Sequence, residues 1–254
     1  MDGMTGENGL FTGEWRYLAM LNFRVDPGLL RPYVPHGTEL DLWRGECWMS
    51  VVGLRFAKLG VMGLPVPLHQ DFGQVNLRFY VRRGMDVPGG AREVRRGAVF
   101  LVQLAPRPFL AAAARLVTNE PFRAASLRYK VDLPPTSSDP SLVEYAWDDP
   151  GSGGRVVLAP SGPGALLAPD SFEEYVAERC WGYTPQPDGS TLEYRVRHTR
   201  WRVWPAEGVT LDGDLEAAFG SEWANVLRAG PDRSFLAEGS PIGVEAPVPI
   251  AGAG

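Results

Sequence analysis

A chain of 254 residues, of which 44% are hydrophobic and 22% charged, has the composition of a globular protein with one large core or two small ones. Its net charge of −5 argues against general nucleic-acid binding, and no apolar run is long enough to span a bilayer. The first residues have neither a basic start nor an apolar core, so we expect no signal peptide and a cytoplasmic protein without a membrane partner.

Local patterns predict one α+β domain over residues 14–249, preceded by a loose N-terminal arm over residues 1–13. Alternating residues indicate strands, whereas Asp26-Pro27 and the Ser171–Glu174 capping box are typical helix starts. In chain order, the sequence predicts a strand at 15–23, a helix at 27–33, a hairpin of 39–42 with 46–56 that turns at Arg44-Gly45, a strand at 74–82, a charged hairpin loop at 81–96, a buried strand at 98–105, a helix at 109–117, a strand at 127–131, a hairpin of 142–147 with 155–159, a helix at 171–181, a strand at 191–204, a helix at 213–227 and a closing strand from Ser234.

The predicted strand at 74–82 shows the clearest alternation in the chain. Its apolar face carries valine, leucine and phenylalanine, and its other face is polar. Because an apolar strand at 98–105 follows, we expect the strands to enclose a cavity near Gln74 and Arg115. The alternative is a polar face that is simply solvated. The residues of the polar face are Gln74, Asn76, Arg78, Tyr80 and Arg82.

The stretch A-A-A-A-R-L-V-T-N-E-P-F-R at residues 111–123 resembles the helix and turn of the acetoacetate decarboxylase-like superfamily. The pattern there is G-R-E, a few residues, then P-K-K, and the first lysine forms a Schiff base with the substrate. Arg115 and Pro121 match this pattern, whereas Phe122 and Arg123 stand where the lysine pair belongs. Arginine stays protonated and is a poor nucleophile. The resemblance therefore implies the scaffold but not classical acetoacetate decarboxylase activity.

A closer resemblance is to the bacterial family called domain of unknown function 2071, a branch of that superfamily. It rests on F-R-V-D-P-G-L-L-R-P-Y-V-P at 23–35, S-F-E-E-Y-V-A-E-R-C-W-G-Y-T at 171–184 and H-T-R-W at 198–201. The resemblance covers about residues 15–248 and implies a conical antiparallel β-barrel or sheet with a few short outer helices. The superfamily's tyrosine-x-glutamate is similar to Phe72-Gly73-Gln74, so a neutral amide occupies the position of the acid.

Eight side chains are candidates for contact with a ligand. Arginine binds carboxylates through paired hydrogen bonds, which favours a carboxylate or carbonyl compound. The structural alternative is that the arginines form surface ion pairs, for example Arg115 with Glu120, while His198 makes a structural hydrogen bond. The candidates are Gln74, Asn76, Arg78, Tyr80, Arg115, Arg123, His198 and Trp201.

Metal and redox chemistry have little support in the sequence. The histidines His36, His69 and His198 are scattered, so we predict no metal site, and no motif indicates a cofactor. Cys47 and Cys180 lie far apart in apolar segments, which predicts two unpaired thiols.

Three classes of function remain open. The first is a small-molecule-binding protein that holds a small carbonyl or carboxylate compound in the barrel. The second is a lyase- or hydrolase-type enzyme that acts on such a compound without a lysine imine, using His198 or Tyr80. The third is a structural subunit with a filled barrel, and a homo-oligomer is compatible with each of them. Lys58 and Lys130 are the only lysines available for an imine, and we expect Lys130 to be exposed.

Overall fold

The computed structural model describes residues 9–66, 71–86, 90–107, 119–135, 137, 139–149 and 151–250. Strands predominate in these ranges, and the helices are short and separate. The strands are β1 (Phe11–Arg24), β2 (Glu39–Leu40), β3 (Trp48–Val61), β4 (Leu64–Pro65), β5 (Asp71–Asp86), β6 (Arg92–Ala105), β7 (Phe122–Ala124), β8 (Ser126–Asp132), β9 (Leu142–Asp149), β10 (Ser152–Pro160), β11 (Ala165–Leu166), β12 (Trp181–Pro185), β13 (Thr191–His198), β14 (Arg202–Gly213), β15 (Arg233–Val244) and β16 (Val248–Ile250). The helices are α1 (Pro27–Leu30), followed by a 3-10 turn at Arg31–Tyr33, then α2 (Phe172–Ala177), α3 (Leu215–Phe219) and α4 (Ser221–Arg228).

Seven strands are connected by successive pairings. The order of pairing is β12, β6, β5, β3, β1 and β15, and β13 pairs with both β12 and β15. All of these pairs are antiparallel except the short parallel contact between β6 and β12. A second run of strands, in the order β14, β10, β9 and β8, continues from β15. This connectivity brings residues from both ends of the chain onto one wall.

The hydrophobic core lies on both faces of the seven strands. One cluster packs Val75, Leu77 and Phe79 of β5 against β9 and the helices α3 and α4. The other lies on the opposite face and includes Tyr80 and Trp201. Because side chains alternate along a strand, Gln74, Asn76 and Arg78 share a face with the second cluster and are buried, whereas Arg82 at the far end of this face is exposed.

Several predicted elements are confirmed. The Asp26 carboxylate caps α1 by accepting the N–H of Gly28 at 2.7 Å, and the Ser171 hydroxyl caps α2 through the N–H of Glu174. The hairpin of β9 and β10 forms where the sequence predicts it. Both cysteines, Cys47 and Cys180, are unpaired, as predicted.

Other boundaries were predicted wrongly. β1 begins at Phe11, so the expected arm over residues 1–13 is too long. The connection at 81–96 is mostly a ladder, because β5 and β6 pair as far as Asp86 and Arg92. β2 pairs with β5 instead of forming a hairpin with β3.

Three more corrections concern the C-terminal half. The helix that begins after Ser171 ends at Ala177, since β12 starts at Trp181. The predicted strand at 191–204 is divided between β13 and β14. The predicted helix at 213–227 is interrupted by Gly220, whose φ of 104° is unfavourable for other residues. The predicted helix at 109–117 lies outside the described residues.

Within the described ranges, no helix combines the length and apolar character that crossing a bilayer requires.

Candidate ligand-binding cavity

A cavity is bordered by residues of all seven of the successively paired strands. The space that the centre of a water molecule can occupy in it is about 110 Å³. One water needs only ~10–15 Å³ by this measure, so the cavity has room for a small organic molecule. Most of its wall is apolar. The apolar side chains on it include Phe11, Trp15, Leu18, Leu54, Phe56, Phe100, Phe122, Trp181, Val196, Trp201 and Ile242.

A strip of polar side chains from β5 crosses this apolar wall. Gln74, Asn76 and Arg78 all face the cavity because alternate residues of a strand point to the same side. Each is less than 9% exposed, with Asn76 at 2% and Arg78 at 7%. Among the described residues, the Asn76 Oδ1 atom and the Arg78 Nε–H have no hydrogen-bond partner. Buried polar groups are rarely left unpaired, so both atoms are available to a ligand, as are Nε and Nη2 of the wall residue Arg179, which also have no partner among the described residues.

Glu120 reaches the same cavity from the turn before β7. Asn119 has a φ of 66°, in the left-handed region that asparagine tolerates, and its side-chain amide donates to the Pro185 carbonyl at 2.6 Å. On the other side of the turn, the Gln103 backbone N–H donates to the Pro121 carbonyl at 2.9 Å. The Glu120 backbone is therefore held between β6 and β12.

Three side-chain donors converge on the Glu120 carboxylate. They are the amide of Gln103 at 2.6 Å, the hydroxyl of Thr184 at 2.6 Å and the hydroxyl of Tyr194 at 3.1 Å. Loss of hydration raises the pKa of Glu120 to about 6, even though the three hydrogen bonds favour the charged form. The carboxyl group therefore changes protonation near neutral pH.

Gly182 lets the ring of Tyr194 lie against the neighbouring strand. The two residues are direct partners in the β12–β13 ladder, and a Cβ at position 182 would lie 2.1 Å from the tyrosine ring. The missing side chain thus allows the Tyr194 hydroxyl to reach Glu120. Burial and the nearby carboxylate hold the pKa of Tyr194 well above its usual value, so this hydroxyl stays protonated and remains a donor.

A second guanidinium group on the wall is held by an ion pair. Arg179 donates through Nη1 to the Asp41 carboxylate, and both side chains are nearly inaccessible, at 2% and 1% exposure. The guanidinium group also lies over the rings of Tyr80 and Tyr175, 4.8 and 4.1 Å from their centroids. Arg179 is therefore a fixed charge that is largely neutralised, in contrast to Arg78.

The predicted candidates fall into three groups. Gln74, Asn76, Arg78 and Trp201 lie on the cavity wall, where their contact with a ligand stays a prediction. Tyr80, Arg123 and His198 are not among the described lining residues, and Arg115 lies outside the described part of the chain.

The three candidates that do not line the cavity make contacts elsewhere. Tyr80 is buried and its hydroxyl bonds that of Ser50 at 2.5 Å. Arg123 is exposed and donates to the Ala218 carbonyl at 2.8 Å. The His198 ring stacks on Trp201, with 4.5 Å between the ring centroids. They are therefore weaker candidates for direct ligand contact than the residues on the wall.

No lysine approaches this cavity. Phe122, which the sequence resemblance matches to the superfamily's lysine, lines it. The chain's two lysines are exposed elsewhere, Lys58 in an ion pair with Glu14 at 2.7 Å and Lys130 in one with Asp132 at 2.8 Å. The described wall of the cavity therefore offers no amine for a Schiff base.

Sequence reasoning missed Gln103, Glu120 and Arg179 as wall residues. Glu120 was considered only as a surface partner for Arg115. The signal available for it was its place two residues before Phe122, the position that carries the nucleophile in the superfamily. Gln103 is a lone polar residue in an apolar strand, which indicates a buried polar contact.

Comparison with known structures identifies the fold. The acetoacetate decarboxylase of Legionella pneumophila aligns with a TM-score of 0.64 at 13% identity, over 96% of this chain and 88% of that one. An acetoacetate decarboxylase-like enzyme from Sphingomonas wittichii aligns with a TM-score of 0.65 at 12% identity, over 96% and 94% of the two chains. The enduracididine biosynthesis enzyme MppR, complexed with pyruvate, aligns at 0.62 with 10% identity, over 100% and 94%. The molecule has the fold of acetoacetate decarboxylase-like proteins.

The sequence comparisons identify the family within this fold. Residues 12–241 match the model of domain of unknown function 2071, described as an uncharacterized conserved protein, and the chain belongs to this family. A curated relative, the uncharacterized protein YqjF of Bacillus subtilis, is 35% identical over 68 residues. That match spans 26% of this chain and 28% of the relative.

Proposed function

We propose that this protein binds a small carboxylate or carbonyl compound in the cavity, without a lysine imine, and that its seven mutually paired strands enclose the cavity as a barrel. The observation that carries the proposal is Arg78, a buried guanidinium group that faces the cavity. No carboxylate of the described residues lies within ion-pair distance of it. Burying an unpaired charge is costly, and a ligand carboxylate offsets that cost through paired hydrogen bonds.

The other wall residues suit the remainder of such a ligand. The unpaired Asn76 oxygen accepts a hydrogen bond from a hydroxyl group or a hydrated carbonyl group. The rings of Trp15, Phe56 and Trp201 offer an apolar surface to the carbon skeleton. A similar fold holds pyruvate in MppR, which supports the same class of compound here.

The test is a binding series with pyruvate, phenylpyruvate and acetone, measured by calorimetry or ligand-observed NMR. We expect the two carboxylates to bind and the neutral ketone to bind far more weakly. Arg78→Met should reduce carboxylate affinity about 10- to 150-fold, which is the effect of ~1.5–3 kcal/mol for a hydrogen bond to a charged group. The control is Arg123→Met, which removes an exposed guanidinium group. Equal binding by the Arg78 and Arg123 variants would contradict the proposal.

A second candidate function is enzymatic and rests on Glu120. A carboxyl group with a pKa of about 6 is suited to proton transfer near neutral pH. The carboxylate takes a proton from the carbon beside the ligand's carbonyl group, the electron pair moves onto the carbonyl oxygen as an enolate, and reprotonation returns the proton to carbon. An ionised carboxylate has about four lone-pair sites, and three of those of Glu120 accept hydrogen bonds from Gln103, Thr184 and Tyr194. The fourth site remains available to accept the proton.

Exchange of the methyl protons of pyruvate in D₂O tests this second candidate. We expect the protein to accelerate the exchange, with an apparent pKa near 6, and Glu120→Gln to remove the acceleration while carboxylate binding persists. If pyruvate binds but its methyl protons exchange only at the uncatalysed rate, the enzymatic candidate is rejected and the binding function alone is retained. A structural subunit with a filled interior has less support, because the described side chains leave this cavity open.

A further inference from the structure

Three potential metal ligands from two distant segments meet beside the cavity wall. They are the Glu178 carboxylate, the Cys180 thiol and the His198 imidazole, and their ligand atoms lie within 4.8 Å of one another. The Cys180 Sγ and His198 Nε2 atoms are 4.0 Å apart. All three residues are half-buried, so the cluster is neither an exposed acidic patch nor a sealed core.

The local backbone brings these groups together. Glu178 and Cys180 lie on either side of Arg179 in the connection between α2 and β12. Arg179 and Trp181 face the cavity, whereas Glu178 and Cys180 are not among its described lining residues. The Cys180 carbonyl accepts the backbone N–H of Val196 at 2.8 Å. This bond fixes Cys180 beside β13, whose last residue is His198.

Two features of the cluster point to a cation. The His198 Nδ1 atom lies 2.9 Å from the Thr199 carbonyl, which only accepts, so Nδ1 carries the proton and Nε2 presents a lone pair. This is how protein histidines are oriented when they bind metals. The Glu178 Oε1 atom is buried, and among the described residues it has no hydrogen-bond partner.

We infer that Glu178, Cys180 and His198 form a Zn²⁺ site. Sulfur, nitrogen and carboxylate oxygen are the ligand atoms that zinc prefers, with bonds of about 2.0–2.3 Å. In a tetrahedral site with those bond lengths, the ligand atoms are ~3.3–3.8 Å from one another. The ligand atoms of the cluster are at most 4.8 Å apart, so each distance between them has to shorten by less than about 1.5 Å for zinc to bind. A water molecule or another small ligand completes the fourth position.

The charges of the site balance a divalent cation. A thiolate and a carboxylate together carry two negative charges. Two guanidinium groups interact electrostatically with the thiol: that of Arg179 is paired with Asp41, and that of Arg195 lies 5.7 Å from the centroid of the Trp181 ring. The zinc site is independent of the ligand proposed for the cavity.

The test uses the full chain after removal of metal by a chelator. We expect one equivalent of Zn²⁺ to bind in competition with a chromophoric chelator, and Co²⁺ to produce a thiolate-to-metal charge-transfer band. Zinc should also raise the melting temperature, because it binds the folded state. Absence of the band, or no binding at all, would overturn the inference.

Matched variants locate the site. Cys180→Ser should abolish the cobalt band. It should also reduce zinc affinity by more than about 10- to 100-fold, because that range is typical for losing a residue that only hydrogen-bonds to a metal ligand, and Cys180 would be a ligand itself. Glu178→Gln, which keeps the shape of the side chain, should weaken binding without affecting the fold. Cys47→Ser, which removes the other thiol, should change neither measurement. A cobalt band that persists in Cys180→Ser and disappears in Cys47→Ser would place the metal elsewhere and refute the assignment.

Discussion

The Gln103 side-chain amide donates a 2.6 Å hydrogen bond to the Glu120 carboxylate, 17 residues further along the chain. The side-chain oxygen of Gln103 in turn accepts a hydrogen bond from the side-chain amide of Gln74 at 3.1 Å. Gln74 is thereby connected through Gln103 to the Glu120 carboxyl group. A single wall thus carries two side-chain amides, the aromatic ring of Phe122 and a carboxyl group from the adjoining turn.

The protonation of Glu120 should make folding stability depend on pH. Because its pKa in the folded state is about 6, above the ordinary 4.5, the folded state retains a proton that the unfolded state has lost. This contribution to stability is complete below about pH 4.5 and is lost as the pH rises through about 6. We expect a loss on the order of 1–2 kcal/mol.

Urea unfolding of the wild type and of Glu120→Gln between pH 4.5 and pH 7.5 measures this effect. The variant should be less dependent on pH in this window, so its stability relative to the wild type should rise with pH. A stability difference that stays constant from pH 5 to pH 7 would show that Glu120 is not the responsible group.

Breaking the ion pair between Arg179 and Asp41 should be strongly destabilising. Asp41→Asn leaves the guanidinium charge buried without its partner, which typically costs about 3–5 kcal/mol. The matched control is Glu39→Gln, which breaks an exposed pair with Arg82 at 2.9 Å and should cost less than about 1 kcal/mol. Chemical denaturation at pH 7 measures the loss of unfolding free energy in each variant. Equal losses in Asp41→Asn and Glu39→Gln would contradict the assigned difference in burial.

Trp201 should be important for stability even without a ligand. It is 2% exposed, its indole N–H donates to the Ser240 hydroxyl at 2.9 Å, and its ring packs edge-on against Trp15. Trp201→Ala should therefore cost about 3–5 kcal/mol. A melting temperature close to that of the wild type in the ligand-free variant would indicate a role in binding alone.

His198→Gln should be a mild change when no metal is present. The ring makes one hydrogen bond to the Thr199 carbonyl and stacks on Trp201, so loss of the bond should cost about 1 kcal/mol. The same variant should lose the increase in melting temperature that Zn²⁺ produces in the wild type. Thermal melts with chelator and with zinc separate the two contributions.

Borohydride treatment with a β-keto acid should give no covalent adduct. Lys58 and Lys130 are ion-paired on the surface, and neither is among the described residues that line the cavity. Imine formation requires a neutral amine, which an exposed, ion-paired lysine rarely provides at pH 7. Intact-mass measurement checks this, and an adduct on either lysine would instead support an imine-forming enzyme.

Local signals in the sequence were sufficient for much of the fold. Asp26 before Pro27 and Ser171 before α2 determine helix starts, because capping depends on residues within one turn. The alternation around Gln74 determined which side chains of β5 share a face, because that period is built into an extended backbone. The motifs at both ends of the chain were enough to indicate the family.

What covers each face was decided by tertiary structure. Gln74, Asn76 and Arg78 of β5 are buried on a wall that residues of β13 and β15 also line, and no local pattern specifies the pairing of those two strands. Glu120 lies in a polar turn, yet its pKa is raised because strands β12 and β13, more than 60 residues away along the chain, surround it. Cys180 and His198 are likewise brought together by pairing across 18 residues. The alternation of residue types in a sequence indicates only local geometry, whereas burial and proximity depend on long-range packing. The chemistry of this site depends on that packing.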